Sequence, residues 1–89
     1  MPNLPSAKKH IRADARKAER NRYTRSTMRT AIRAARAGIA AKDDDAQDRL
    51  RMAMSKLDKA AKKGVIKKQT ASRRKSRLMR LYNREVVAG

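Results

Sequence analysis

The chain of 89 residues contains no cysteine, no tryptophan and no phenylalanine, and only three glycines, two prolines and two tyrosines. Without cysteine there is neither a disulfide framework nor thiol chemistry, and compartment is left open. Without Phe or Trp, any core must be built from Leu, Ile, Met, Val and Ala. It is a thin core, because a domain of this size buries only about 60–65% of the surface its unfolded chain exposes. Acids are scarce as well: 8 Asp and Glu stand against 26 Lys and Arg, a formal net charge of +18. Such an excess opposes compaction of the isolated chain. It makes a polyanion the natural partner, since each neutralised phosphate releases condensed counterions; anionic lipid is the other surface to consider. No run approaches the ~18–20 apolar residues of a membrane span, and Met1 to Pro5 lead into Lys8, Lys9 and Arg12 with no apolar signal-peptide core. Pro2 and Pro5 also argue against an Arg-rich transit segment, so a cytoplasmic location is expected.

The rarity of glycine and proline leaves long uninterrupted stretches, and these are rich in the good helix formers Ala, Arg, Lys and Met. Pro2 and Pro5 bracket an extended lead over 1–5. Ser6 offers an N-cap for a first helix over 6–41, roughly 50 Å long, with Gly38 weakening its last turn. Lys42 to Asp45 read as a turn, and Asp44 with Gln47 has capping-box spacing for a second helix over 45–63. Ala46, Leu50, Ala53, Met54, Leu57 and Ala61 follow a 3.6-residue period, and Gly64 suits the C′ position. Beyond the apolar corner Val65–Ile66, a third helix over 67–87 carries Ala71, Leu78, Leu81 and Tyr82 on one face. No strand pattern, internal repeat or domain boundary interrupts this order. The expected fold is all-α: one domain, a three-helix up-down-up bundle with short connections.

Helix one is too long for its partners and should project beyond them. Met28, Ile32, Ala35 and Ile39 share one face at about 100° per residue, whereas Ala7, Ile11, Ala15 and Ala18 share another, rotated by roughly 90–100°. Residues 28–41 are therefore expected to pack on the other helices. Residues 6–22 are expected to lack a full core and to be ordered by what they bind. Charge follows the same division. Residues 1–37 hold 11 basic and 2 acidic residues, 38–64 hold 7 and 5, and 65–89 hold 8 and 1. Helices one and three are the binding elements, and helix two is the brace.

Arg22, Arg25, Arg29, Arg33 and Arg36 recur at spacings of 3, 4, 4 and 3, which makes one stripe on a helix. Planar guanidinium forks in a row suit a row of phosphates, each fork bonding two oxygens. A solvated helix face is the plainer explanation, but few acids interleave to compensate the repulsion. Arg73, Arg77, Arg80 and Arg84 form a second stripe on helix three, with Lys67, Lys68, Arg74 and Lys75 around its first half. The tip, Lys8, Lys9, Arg12, Arg16, Lys17 and Arg20, is basic on several faces, as a helix lying in a groove or between two RNA segments would be; a flexible basic tail has the same composition. Ser6, Asn21, Ser26, Thr30, Ser72 and Ser76 could bond phosphate or 2′-hydroxyl groups, or simply face solvent. Tyr82 is expected in the core beside Leu78, Tyr23 is undecided between core and base stacking, and Met28, Met52, Met54 and Met79 are expected to pack.

Catalysis finds no footing. His10 is a lone histidine beside Lys9, and Asp43, Asp44, Asp45 and Asp48 lack the glycine-containing loop and closing Glu of a calcium hand. No Gly-rich phosphate loop, nucleophile elbow or metal-ligand cluster is present, so no enzyme activity, cofactor or small-molecule substrate is expected.

Asn3-Leu4-Pro5-Ser6-Ala7-Lys8-Lys9, then Asn21, Arg25-Ser26 and Met28-Arg29-Thr30, then Lys62-Lys63-Gly64-Val65-Ile66, Ala71, Arg73 and Lys75-Ser76-Arg77-Leu78, resemble the bacterial small-subunit (30S) ribosomal proteins of the family numbered twenty. The likeness spans nearly the whole chain. It implies a three-helix bundle, a structural constituent of the small subunit on the ribosome, that binds 16S ribosomal RNA directly and early in assembly. By position it implies RNA contacts at Ser6, Lys8, Lys9, Asn21, Arg25, Ser26, Arg29, Arg73, Lys75 and Arg77. With the stripes and tip, the candidate RNA-binding set also holds Arg12, Arg16, Lys17, Arg20, Arg22, Arg33, Lys67, Lys68, Arg74 and Ser76. Where the family often has His-Lys-Asn-Lys after the corner, this chain has Lys67-Lys68-Gln69-Thr70; Gln69 keeps a donor and an acceptor. Partners expected are 16S ribosomal RNA and other small-subunit components, with no membrane and no second copy. A nucleoid-type DNA-binding protein is the alternative, although insertion wedges and a base-reading recognition helix are not evident. A membrane-active cationic helix is a weaker one, given the poor apolar face of the N-terminal half.

Overall fold

The computed structural model describes the backbone of residues 5–89 and the side chains of residues 9–89; residues 1–4 of the expected lead and the side chains of Ser6 and Lys8 fall outside that range. Pro5, expected in the lead, already opens the first helix, so Ser6 lies inside it rather than at its N-cap. It is all-α. Helix α1 spans Pro5–Ala41, α2 Ala46–Lys62 and α3 Lys68–Tyr82, with a π-helical turn Asn83–Val87 closing the third helix. The single expected helix over 67–87 is thus an α-helix whose last five residues widen to the π form. There the Ala88 N–H donates to the Asn83 carbonyl at 2.7 Å.

Both tight turns close in the same way. After α2, the Gly64 N–H donates to Ala61 O at 3.0 Å and the Val65 N–H to Ala60 O at 2.9 Å, with Gly64 left-handed at φ 75°. This paired 5→2 and 6→1 arrangement satisfies the last carbonyls of the helix, and it tucks Val65 into the core beside Ala60. After α1, the Lys42 N–H donates to Ile39 O at 3.1 Å and the Asp43 N–H to Gly38 O at 3.0 Å. Here the left-handed residue is Lys42, at φ 53°, a conformation that costs a side-chain-bearing residue about 1–2 kcal/mol.

The expected capping box is not used. Asp45 occupies the N-cap of α2 without a side-chain capping bond. Its carboxylate instead accepts from Arg49 Nε at 2.9 Å, one helical turn on. Arg49 also reaches the Ala34 carbonyl at 3.4 Å and Asp43 at 4.0 Å, so one guanidinium ties the α1–α2 corner together. Gly38 makes room for it: a Cβ there would stand 2.9 Å from Arg49 Cδ and 3.5 Å from the Ala46 Cα. The glycine expected only to weaken a helix end stands where α2 comes close against α1.

The core is the thin aliphatic one the composition demands. Met28, Ala35, Leu50, Ala53, Leu57, Ala60, Val65 and Leu78 form one cluster, flanked by the half-buried Ala31, Ile32, Met54, Ile66 and Tyr82. Ile39, Ala46 and Ala71 are also buried. On α2 the buried stripe passes through Ala60, and Ala61 is only half-buried. Two of the four methionines expected to pack do not: Met52 is 55% exposed and Met79 39%.

Every residue from Lys9 to Arg20 is exposed, including Ile11. α1 therefore has a packed half, beginning near Met28, and a bare half that extends past the bundle. The principal extents, 62 × 22 × 15 Å, record this projection. The radius of gyration is 17.7 Å, against about 12 Å for a compact domain of this length.

Candidate nucleic-acid interface

Arginine dominates one flank of the bundle. On α1, residues Arg22, Arg25, Arg29, Arg33 and Arg36 lie about 100° around the helix from Met28, all exposed beside the buried face. On α3, Arg74 and Arg77 fall together on one side of the face that buries Ala71 and Leu78, the flank that turns toward α1. The two helices enclose a groove of about 390 Å³ whose walls are Arg29, Arg33, Arg36, Arg74 and Arg77 and whose floor is Ile32 and Leu78. A second hollow adjoins it along α1, lined by Arg22, Arg25, Ser26, Arg29, Thr30 and Arg33. A third adjoins it along α3, lined by Arg36, Arg77, Arg80, Leu81 and Arg84. The three share arginines, so nine guanidiniums form one surface that runs along α1 and crosses to α3.

No acid lines any of these hollows. Among the described residues, only Arg49, Lys75 and Arg84 of all the lysines and arginines form ion pairs. Arg84 pairs with its neighbour Glu85 at 3.2 Å. Eight of the nine guanidiniums therefore face one another with no internal counter-charge. The repulsion is one that a bound polyanion relieves.

The candidate residues sort by position. Arg22, Arg25, Ser26, Arg29, Arg33, Arg74 and Arg77 come together on this surface. Arg36, outside the candidate set though on the same stripe, sits at the junction of two of its hollows. Arg73 and Ser76 are exposed on the outer face of α3, away from the groove. Lys75 points to the other flank, where its Nζ donates to Asp58 Oδ1 of α2 at 2.8 Å; it braces the bundle. Lys67 and Lys68 are exposed at the start of α3, where no acid occupies the first turn and positive charge already accumulates from the helix dipole. Lys9, Arg12, Arg16, Lys17 and Arg20 are exposed along the bare half of α1, and Asn21 is half-buried in a hollow that also includes Lys17, Arg20 and Lys63. Lys63 is a basic residue the stripe pattern passed over, because it closes α2 and reaches α1 only through the fold. Among the described residues no cluster of acids and histidines of metal-binding size occurs, and no helix is long and apolar enough to cross a membrane.

The sequence profile of the family described as Ribosomal protein S20 matches residues 2–83. The chain belongs to the ribosomal protein S20 family. Members of that family are structural proteins of the ribosome and not enzymes. The chain is 48% identical over 88 residues to the small ribosomal subunit protein bS20 of Roseiflexus sp. (strain RS-1), covering 99% of this chain and 97% of the relative. It is 42% identical over 88 residues to bS20 of Heliobacterium modesticaldum, covering 98% of this chain and all of the relative. With bS20 of Thermomicrobium roseum the figure is 47% over 89 residues, covering 99% and 90%. The S20 family and the long-helix bundle agree with the expectation raised by the residues Asn3 to Lys9 and Lys62 to Ile66.

Proposed function

We propose that this small-subunit protein binds 16S ribosomal RNA directly, and that the arginine surface between α1 and α3 takes the phosphate backbone. The observation that carries the reading is the groove walled by Arg29, Arg33, Arg36, Arg74 and Arg77 with no acid in its lining. Guanidinium forks from two helices converge there, so a phosphodiester strand lying in the groove is contacted from both sides. The apolar floor of Ile32 and Leu78 keeps the arginine stems upright, while the heads remain free for oxygen. Duplex RNA offers shape, phosphates and 2′-hydroxyls far more than readable base edges, which matches a protein rich in arginine and poor in base-reading side chains. The bare half of α1 extends the same electrostatic footprint beyond the bundle, and RNA on more than one side orders it. Its place of action is the ribosome in the cytoplasm.

Competition binding tests this. Labelled 16S ribosomal RNA is titrated at physiological salt against excess duplex DNA and transfer RNA. The expected result is that the ribosomal RNA complex survives both competitors, and that Arg33→Gln with Arg77→Gln weakens it by ten-fold or more. Equal competition by duplex DNA would favour a nucleoid-type protein instead.

A further inference from the structure

Tyr23 lies on the other flank of α1. It is 75% exposed and sits roughly 120° around the helix from the middle of the arginine stripe. It stands between two hollows. On the N-terminal side, Lys17, Arg20, Asn21 and Lys63 surround it. On the C-terminal side begins a shallow groove of about 380 Å³ between α1 and α2. Small and hydroxylated residues floor this groove, Ser26, Thr27, Thr30, Ala31 and Ala34, and Met52 and Lys56 of α2 form its far wall. Thr27 spends its hydroxyl on the Tyr23 carbonyl at 2.8 Å, which leaves Ser26 and Thr30 as the free hydroxyls. Two exposed large apolar side chains, Tyr23 and Met52, thus line one groove. The only charge in that groove is Lys56.

We infer that this groove receives one unstacked nucleotide of the bound RNA, its base lying on the Tyr23 ring and its phosphate held by Lys56 or by the Lys17–Arg20–Lys63 cluster. The inference rests on the RNA-binding reading above. An aromatic ring set among cations is the arrangement by which proteins hold unpaired bases, since every base has a face to stack and a phosphate to neutralise. Small side chains let a ribose approach the α1 backbone, and Ser26 and Thr30 supply partners for its hydroxyls. The charge of the surroundings selects nucleic acid over a neighbouring protein: the cations are Lys56 in the groove and Lys17, Arg20 and Lys63 in the adjoining hollow, and Glu19 is the one acid among the residues lining the two. The two flanks of α1 then perform different tasks, backbone neutralisation on one and base stacking on the other.

The test uses the full chain with 16S ribosomal RNA. Tyr82→Phe keeps the half-buried ring of residue 82 and leaves Tyr23 as the sole tyrosine. Its emission should be strongly quenched when the RNA binds. Tyr23→Phe should bind as the parent does, whereas Tyr23→Leu, apolar but unable to stack, should lose about 5- to 150-fold in affinity, the range that follows from removing a stacked aromatic. Circular dichroism of the free variants shows whether the bundle is intact; an exposed position predicts that it is. Unquenched Tyr23 emission together with parent-like binding by Tyr23→Leu overturns the inference, and assigns the groove to a protein neighbour or to solvent. Under that outcome the phosphate reading still stands if Arg33→Gln with Arg77→Gln binds weakly. If neither set of variants changes binding, both readings fall.

Discussion

Lys42 shows how one residue can hold a turn in a conformation it does not favour. Its left-handed backbone and its two flanking hydrogen bonds repeat the arrangement that Gly64 makes after α2. A glycine has no Cβ to clash there. Lys42→Gly should therefore stabilise the free protein by about 1 kcal/mol in chemical denaturation, and Gly64→Ala should destabilise it by a similar amount. Equal midpoints for Lys42→Gly and the parent would mean the turn relaxes in solution. A second residue-scale expectation concerns Leu57, fully buried at the centre of the aliphatic cluster. Leu57→Ala should remove about 2–5 kcal/mol, a large part of the stability of a small domain, and the far-ultraviolet helical signal of the free protein should fall at room temperature.

At the scale of the element, α1 is two helices in one. From Met28 onward its apolar period is locked against α2 and α3; from Lys9 to Arg20 every residue is exposed. Isolated helices of this length are marginal in water, and like charges at i,i+4, as in Arg12–Arg16–Arg20, weaken them further. Amide hydrogen exchange should show residues 9–20 close to unprotected in the free protein and those of 28–39 and 50–57 protected, with the tip gaining protection on RNA. Protection of the tip in the free chain would show that helix propensity alone holds it. This division was legible in the sequence because the two apolar faces of α1 are out of phase. The π turn at Asn83–Val87 was not, since an extra residue per turn leaves no distinctive composition. Other signals were ambiguous for physical reasons. Asp44 and Gln47 have capping-box spacing, but Arg49 engages the neighbouring Asp45 instead. Met52 and Met79 are apolar by type, yet they fall on outward faces of their helices. The arginine stripe was legible helix by helix, whereas the groove that joins Arg33 to Arg77, and the pairing that draws Lys75 to Asp58, depend on how α3 is laid against its neighbours.

The whole molecule carries +18 on 89 residues, with hardly any of its cations paired among the described residues. Salt should therefore act on it in two opposite directions. Screening shortens the reach of the self-repulsion, so the melting temperature of the free protein should rise between 50 and 200 mM salt. Over the same interval its affinity for RNA should fall by orders of magnitude, as counterion release ceases to favour the complex. A thermal-shift series and a binding series at matched salt check the pair. If both moved the same way, charge would not be the common cause. Neutralising a groove arginine should make the binding slope shallower by about one unit for each phosphate that arginine had neutralised.

The bare half of α1 has one more consequence, for turnover. Arg12, Arg16, Lys17 and Arg20 are cleavage points for any protease that cuts after basic residues, and they lie in the segment least held by the fold. A copy without RNA exposes them; on the proposed reading, a copy seated on RNA covers them with phosphates. If the proposed contacts hold, the side chains that bind also mark an unbound copy for removal, and proteolysis with and without RNA should show cleavage after these residues only in the free protein.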